Sequence, residues 1–223
     1  MRLIFNDLAM GTFQRLVDLR AFIDLLDEGV PLVMQRTKEA YKEQAEREDV
    51  EYPDYLLEDQ VLDERFAQWM PRFGAYSCLI LLYSIVESQL LAYSEKLGAK
   101  LQSPLHPKDM RGRGVQQTSL YLNRVASIDV TKDPGWKDID DLRELRNLIV
   151  HRGGKPGKSK DQQDLVTRLT ASYPQQFWLP DSWPYQQVWV SMRLCSHLAT
   201  EIEAFFRRRF KEAGFSEKIS DFV

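Results

Sequence analysis

The stretch that decides the fold spans residues 72–97 and reads RFGAYSCLILLYSIVESQLLAYSEKL. Its apolar residues recur at intervals of three and four, the spacing of a helix, and they cover most of the helix circumference. A helix that is apolar on most sides must be surrounded by other elements. We therefore expect residues 72–97 to form the central helix of a helical bundle.

Further helical patterns flank the central helix on both sides. Upstream, residues 12–26 predict a first helix, which Gly29 and Pro31 interrupt before a charged helical segment continues. A third pattern runs into Pro71, where we expect a break or a kink. Downstream, helices are predicted over residues 115–126, 134–153 and 185–213.

These patterns predict an all-α fold, a bundle of five or six helices. The segment between residues 153 and 184 is rich in Gly, Pro and Ser at first and could form a short strand at 177–179. It predicts an irregular or hairpin insertion before the last helix. We assign residues 1–71 to an N-terminal helical extension packed on the bundle and residues 72–223 to the helical domain, the two forming one continuous structural unit.

The amino-acid composition excludes several classes of protein. With 43% hydrophobic and 28% charged residues among 223, the chain resembles an average globular protein rather than a disordered or fibrous one. A formal net charge of −3 excludes a protein that coats nucleic acid through charge alone, so any anion site must be local. The sequence shows no long apolar run and no secretory signal, which predicts a cytoplasmic protein without a membrane partner. Two cysteines and three histidines lack metal-ligand spacing, so we expect no metal and no cofactor.

The most specific segment spans residues 142–154 and reads LRELRNLIVHRGG. It contains Arg146, Asn147 and His151 in the spacing R-N-x3-H, which arises by accident with an expectation of roughly 0.003 in a chain of this composition. Arg146 falls on the apolar side of the predicted helix, where its permanent charge needs a carboxylate, water or a bound anion. His151 lies about 140° around the helix from Arg146. The two side chains therefore converge only if the helix end relaxes or a second chain contributes.

This segment resembles the motif of HEPN-domain proteins, a family of α-helical domains. Many members are metal-independent endoribonucleases that act as toxins or antiviral effectors. In that family the motif ends a helix and is often followed by a short insertion and a long final helix, the order predicted here. The central helix, with LLYSIVESQL at residues 81–90, also looks like the family's earlier core helix. The resemblance covers roughly residues 72–213.

The resemblance implies a role for each residue of the motif. Arg146 would bind and orient the scissile phosphate of RNA, His151 would transfer a proton at the 2′-hydroxyl or the leaving oxygen, and Asn147 would orient both. The expected product is a 2′,3′-cyclic phosphate. RNA carries its own nucleophile and an imidazole exchanges protons near neutral pH, so this chemistry needs no metal. A homodimer is the expected assembly, with an antitoxin or a sensor protein as a further partner.

Other residues near the motif have two interpretations each. Glu87 in the central helix could pair with Arg146 and hold it in place, or it could bond hydroxyl groups across the bundle. Arg152, Lys155 and Lys158 could contact RNA phosphates, or they could belong to a solvated Gly-Lys loop.

Two other functions remain open at this point. The first is a non-catalytic HEPN-type module that binds nucleotide or RNA or assembles proteins, in which Arg146 is saturated by internal carboxylates. The second is a helical interaction protein whose charged helix over residues 32–48 docks a partner.

Overall fold

A computed structural model of the chain describes residues 7–48, 59–180 and 186–215. Within these ranges the chain forms an all-α bundle of six helices, as predicted. The helices are α1 (Asp7–Glu48), α2 (Asp59–Lys100), α3 (Gly114–Ala126), α4 (Trp136–Arg152), α5 (Lys160–Ser172) and α6 (Met192–Glu212). Strands β1 (Phe177–Trp178) and β2 (Trp189–Val190) pair antiparallel and form the hairpin insertion before α6.

Helix α2 is the centre of the bundle, as its apolar pattern predicts. It contacts α1, α3, α4 and α6, so nearly every helix is positioned by it. Its larger side chains without exposed surface are Leu79, Leu82, Val86, Leu90 and Tyr93. Burying a side chain of this size stabilises a fold by about 2 kcal/mol, so α2 contributes substantially to stability.

Neither proline ends its helix, so the interruption predicted at Gly29 and Pro31 was wrong, and Pro71 does not cause the break considered there. Helix α1 continues through Pro31, which is exposed, so water can bond the Asp27 carbonyl that lacks its N–H donor. Helix α2 continues through Pro71, which directly follows a wider π-helical turn at Arg65–Trp69. In a regular helix a proline ring clashes with the carbonyl four residues earlier, and the wider turn relieves that clash. Residues 59–71 are therefore continuous with the central helix.

Helix α2 is also long and apolar enough, by length and composition, to cross a membrane. In its most apolar window, half of the residues are buried inside the bundle. Core helices of soluble proteins have the same property, since they too are apolar around most of their surface.

Arg72 lies where α2 enters the bundle and is the least typical core residue. It is 2% exposed, and its guanidinium stacks on the Trp69 ring at 4.5 Å. Its Nε and Nη2 atoms find no hydrogen-bond partner within the described ranges. An unsatisfied buried donor costs about 1–3 kcal/mol.

Replacing Arg72 with methionine is therefore expected to raise the free energy of unfolding by about 1 kcal/mol, because the desolvation cost of the guanidinium disappears. Urea denaturation of the two proteins measures the difference. Arg208→Met is the matched control: Arg208 donates to the buried Asp133 carboxylate at 2.6 Å, so its loss should destabilise. A less stable Arg72→Met protein would mean that this guanidinium is satisfied.

Candidate active site

The end of α4 positions the R-N-x3-H motif. Helix α4 ends at Gly153, which has a left-handed φ of 58° and donates its N–H to the Ile149 carbonyl at 2.8 Å. Gly154 follows with a φ of 78°, and a Cβ there would overlap Tyr76 Oη of α2. The hydroxyl of Tyr76 donates in turn to the Val188 carbonyl beside β2. The two glycines therefore let the motif end close against both α2 and the hairpin.

Arg146 points toward α2 and is half-buried. Its guanidinium lies over the Tyr83 ring, 5.5 Å from the ring centre, and its Nη1 donates to Asn147 Oδ1 at 3.2 Å. No carboxylate of the described chain forms an ion pair with it. An aromatic face and one amide oxygen leave most of its N–H donors free, which suits a guanidinium that binds an anion.

Tyr83 connects Arg146 to helix α3. Its hydroxyl lies near the first turn of α3, where a Cβ at Gly114 would be 3.4 Å from Tyr83 Oη. Burial raises the pKa of the phenol, with the negative charge of Glu87 adding to the effect. Sequence reasoning treated Tyr83 only as a core residue. The available signal was its position four residues before Glu87, which puts both side chains on one face of α2.

Glu87 lies in the same neighbourhood but does not make the pair considered from the sequence. Its carboxylate packs against Gly114 in the first turn of α3, where a Cβ would overlap Glu87 Oε1. Within the described residues Glu87 and Arg146 form no ion pair. Glu87 of α2 and Arg146 of α4 are therefore both neighbours of the Tyr83 ring.

Asn147 and His151 face the opposite way, into a groove between α4 and α5 of about 610 Å³. His151 is exposed, so a substrate can reach its imidazole. The lining residues are Asp140, Glu144, Asn147, Leu148, His151, Arg152, Asp161, Gln162, Asp164, Leu165 and Arg168. Four carboxylates and two arginines among them make the groove acidic, although Arg143 donates to both Asp140 and Glu144.

Helix α5 forms the outer wall of this groove and was missed from the sequence. Its anchor is Asp141 of α4, which is 1% exposed and accepts hydrogen bonds from Lys137, Arg168 and Tyr173. Burial alone would raise the pKa of Asp141, but these donors outweigh it and lower that pKa below its usual range. The ionised carboxylate therefore holds α5 to α4. The spacing of Leu165 and Leu169 was the available sequence signal.

The structure brings some motif residues together and separates others. Asn147 and His151 share the α4–α5 groove, whereas Arg146 faces Tyr83 on the other side. Helix α4 stays regular through Arg152, so its end does not relax and Arg146 and His151 stay on different faces of one chain.

The predicted RNA-contacting residues lie beyond the motif. Arg152 lines the groove, and Lys155 and Lys158 are exposed on the loop that follows. Neither lysine forms an ion pair in the part of the chain that the structure describes.

Comparison with protein-family models, with curated proteins and with solved structures finds no match to this chain.

Proposed function

We propose that this protein is a metal-independent endoribonuclease of the HEPN type. The observation that carries the proposal is the state of Arg146: a half-buried guanidinium without an ion-pair partner in the described chain, on the same helix end as an exposed His151. A guanidinium whose charge cannot be shed and whose N–H donors are mostly unpaired is suited to bind an anion such as a phosphate.

The chemistry follows from these groups. Arg146 binds the scissile phosphate and stabilises the charge that develops on its oxygens. The RNA 2′-oxygen attacks phosphorus, the bond to the 5′-oxygen breaks, and the products are a 2′,3′-cyclic phosphate and a 5′-hydroxyl. The proton of the 2′-hydroxyl leaves to a base and the 5′-oxygen gains one, and His151 serves one of these two transfers. Asn147, which accepts from Arg146, orients the guanidinium.

A homodimer completes the site in this proposal. Because Arg146 and His151 face different sides of α4, a two-fold axis near the helix end would set Arg146 of one chain opposite His151 of the other. Activity as a toxin or antiviral effector, held back by an antitoxin or a sensor protein, fits the same proposal through the family resemblance. So does a cytoplasmic location.

The second candidate is a non-catalytic module that binds RNA or nucleotide or assembles proteins. One observation favours it: the groove that contains His151 is lined by four carboxylates, which repel RNA phosphates. The free Arg146 guanidinium argues for the first candidate, because in a binding-only member it would be expected to be saturated.

The test is incubation of the protein with tRNA and single-stranded RNA in EDTA, followed by identification of the product ends. We expect cleavage that persists under chelation and leaves cyclic phosphates. His151→Ala protein purified in parallel is the control for contaminating ribonuclease. Because the side chain is exposed, this substitution should leave the stability of the fold nearly unchanged. Cleavage that requires a metal ion, or no cleavage by a folded dimer, would contradict the proposal.

A further inference from the structure

A second groove runs along the outer side of α3, with a volume of about 480 Å³. This volume lies within the range of small-ligand sites. Its lining residues are Arg111, Gly112, Gln116, Ser119, Leu120, Asn123, Asp129 and Thr131. Six of them are polar, while Leu120 and the aliphatic parts of the side chains supply apolar surface, so the groove suits a ligand that has both hydrogen-bonding groups and an apolar face.

The groove has a charge gradient from one end to the other. Arg111 is exposed and has no ion-pair partner among the described residues. The far end holds Asp129, which accepts from the Thr131 backbone N–H at 3.2 Å and from its hydroxyl at 2.5 Å. The side-chain amides of Gln116 and Asn123 lie between these ends. These groups complement the parts of a nucleotide. The cation suits its phosphate, the amides suit the edge of its base, and the carboxylate suits its hydroxyl or amino donors.

The groove begins near the Arg146 site, because Gly112 in its lining is two residues from Gly114. Gly114 in the first turn of α3 packs against Glu87, and a Cβ there would lie 3.4 Å from Tyr83 Oη. Arg113 directly precedes Gly114, so its Cα lies about 3.8 Å from that of Gly114. Arg111 lies two residues before Arg113 and lines one end of the groove. Arg146, Arg113 and Arg111 therefore follow one another from the Tyr83 ring to the outer side of α3.

We propose that the α3 groove binds one nucleotide of the RNA strand whose scissile phosphate is held by Arg146. This inference rests on the proposed function. Arg113 and Arg111 contact successive backbone phosphates, and Gln116 and Asn123 hydrogen-bond the edge of an unstacked base.

The alternative path toward Lys155 and Lys158 is less favourable. That path passes the groove between α4 and α5, where Asp161 and Asp164 have no ion-pair partner in the described chain. Phosphates placed there would meet uncompensated negative charge, whereas on the α3 side three arginines outnumber the carboxylates Glu87 and Asp129, and Asp129 is paired with Lys132 at 3.4 Å.

The experiment measures binding of a fluorescein-labelled 12-residue single-stranded RNA by anisotropy. All proteins carry His151→Ala, so that cleavage does not interfere. We expect Arg111→Ala to weaken binding about tenfold and to lower the salt dependence by about 0.7 in log–log slope, the value for one lost single-strand phosphate contact. Arg124→Ala is the matched control: it removes the same charge from an exposed position of α3 that does not line the groove, and should change binding less than twofold.

A second variant tests base contact separately from charge. Asn123→Ala should alter the preference among oligo(A), oligo(C) and oligo(U) by about fivefold while leaving the salt slope unchanged. Equal effects of Arg111→Ala and Arg124→Ala, or a larger effect of Lys155→Ala, would overturn the α3 path even if the wild type cleaves RNA. RNA cleavage and binding both absent from the wild type would overturn the proposed function as well.

Discussion

Arg146→Ala and His151→Ala proteins are each expected to lose RNA cleavage by at least about a hundredfold, and a heterodimer of the two is expected to regain about half of the wild-type rate. Each variant alone lacks one group in both sites of its dimer. In the heterodimer one site combines the intact Arg146 of one chain with the intact His151 of the other, and the second site lacks both. The reason is structural: the two side chains lie on different faces of α4.

Two purification tags and co-expression give the heterodimer free of either homodimer. A heterodimer of wild type with the doubly substituted chain, Arg146→Ala and His151→Ala together, is the matched control. It carries the same number of substitutions but has no site with both groups, so it should remain inactive. Activity of this control at about half the wild-type rate, together with an inactive heterodimer of the two single variants, would mean that each chain holds a complete site. Activity in a strictly monomeric protein would exclude the shared site directly.

Asp141→Asn is expected to lower the free energy of unfolding by about 2 kcal/mol at pH 7. Removing one partner of a buried ion pair costs about 3–5 kcal/mol, but the cations Lys137 and Arg168 are 55% and 43% exposed, and water compensates part of their loss. Tyr173 also loses a charged acceptor for its buried hydroxyl. Urea denaturation monitored by tryptophan fluorescence measures the change.

The effect of Asp141→Asn depends on pH in a defined direction. Folding lowers the pKa of Asp141, so its ionised form stabilises the folded state above the pKa of about 3.9 in the unfolded chain. This contribution is lost as the pH falls through the lower, folded-state pKa. The stability difference between wild type and Asp141→Asn should therefore be full at pH 7 and shrink progressively below about pH 4.

Asp140→Asn is the matched control for this prediction. Asp140 is the neighbouring carboxylate, is 48% exposed and pairs with Arg143 at 2.9 Å. A surface pair of this kind contributes about 0–1 kcal/mol, so the control should unfold nearly like the wild type. If both variants lose the same stability, Asp141 does not anchor α5.

The helices with strong local signals could be predicted well from the sequence. The apolar spacing over residues 72–97 and the glycine pair after Arg152 correctly placed the central helix and the end of α4. Helix α5 could not be predicted in the same way, because it offers few apolar positions and depends on Arg168 bonding Asp141 from 27 residues away. Pro31 misled for a related reason: it is exposed, and beyond it Lys38 of α1 still pairs with Asp59 and Asp63 of α2.

The candidate site also has one part that the sequence predicts and one part that depends on the tertiary structure. The sequence alone determined that Arg146, Asn147 and His151 lie within two turns at the end of one helix, because helical periodicity and glycine capping depend only on residues a few positions apart. The tertiary structure decided what each side chain faces: Tyr83 for Arg146, Gly114 for Glu87, and an acidic groove for His151. These neighbours come from other helices, and their positions depend on how complementary surfaces pack, which no local pattern encodes.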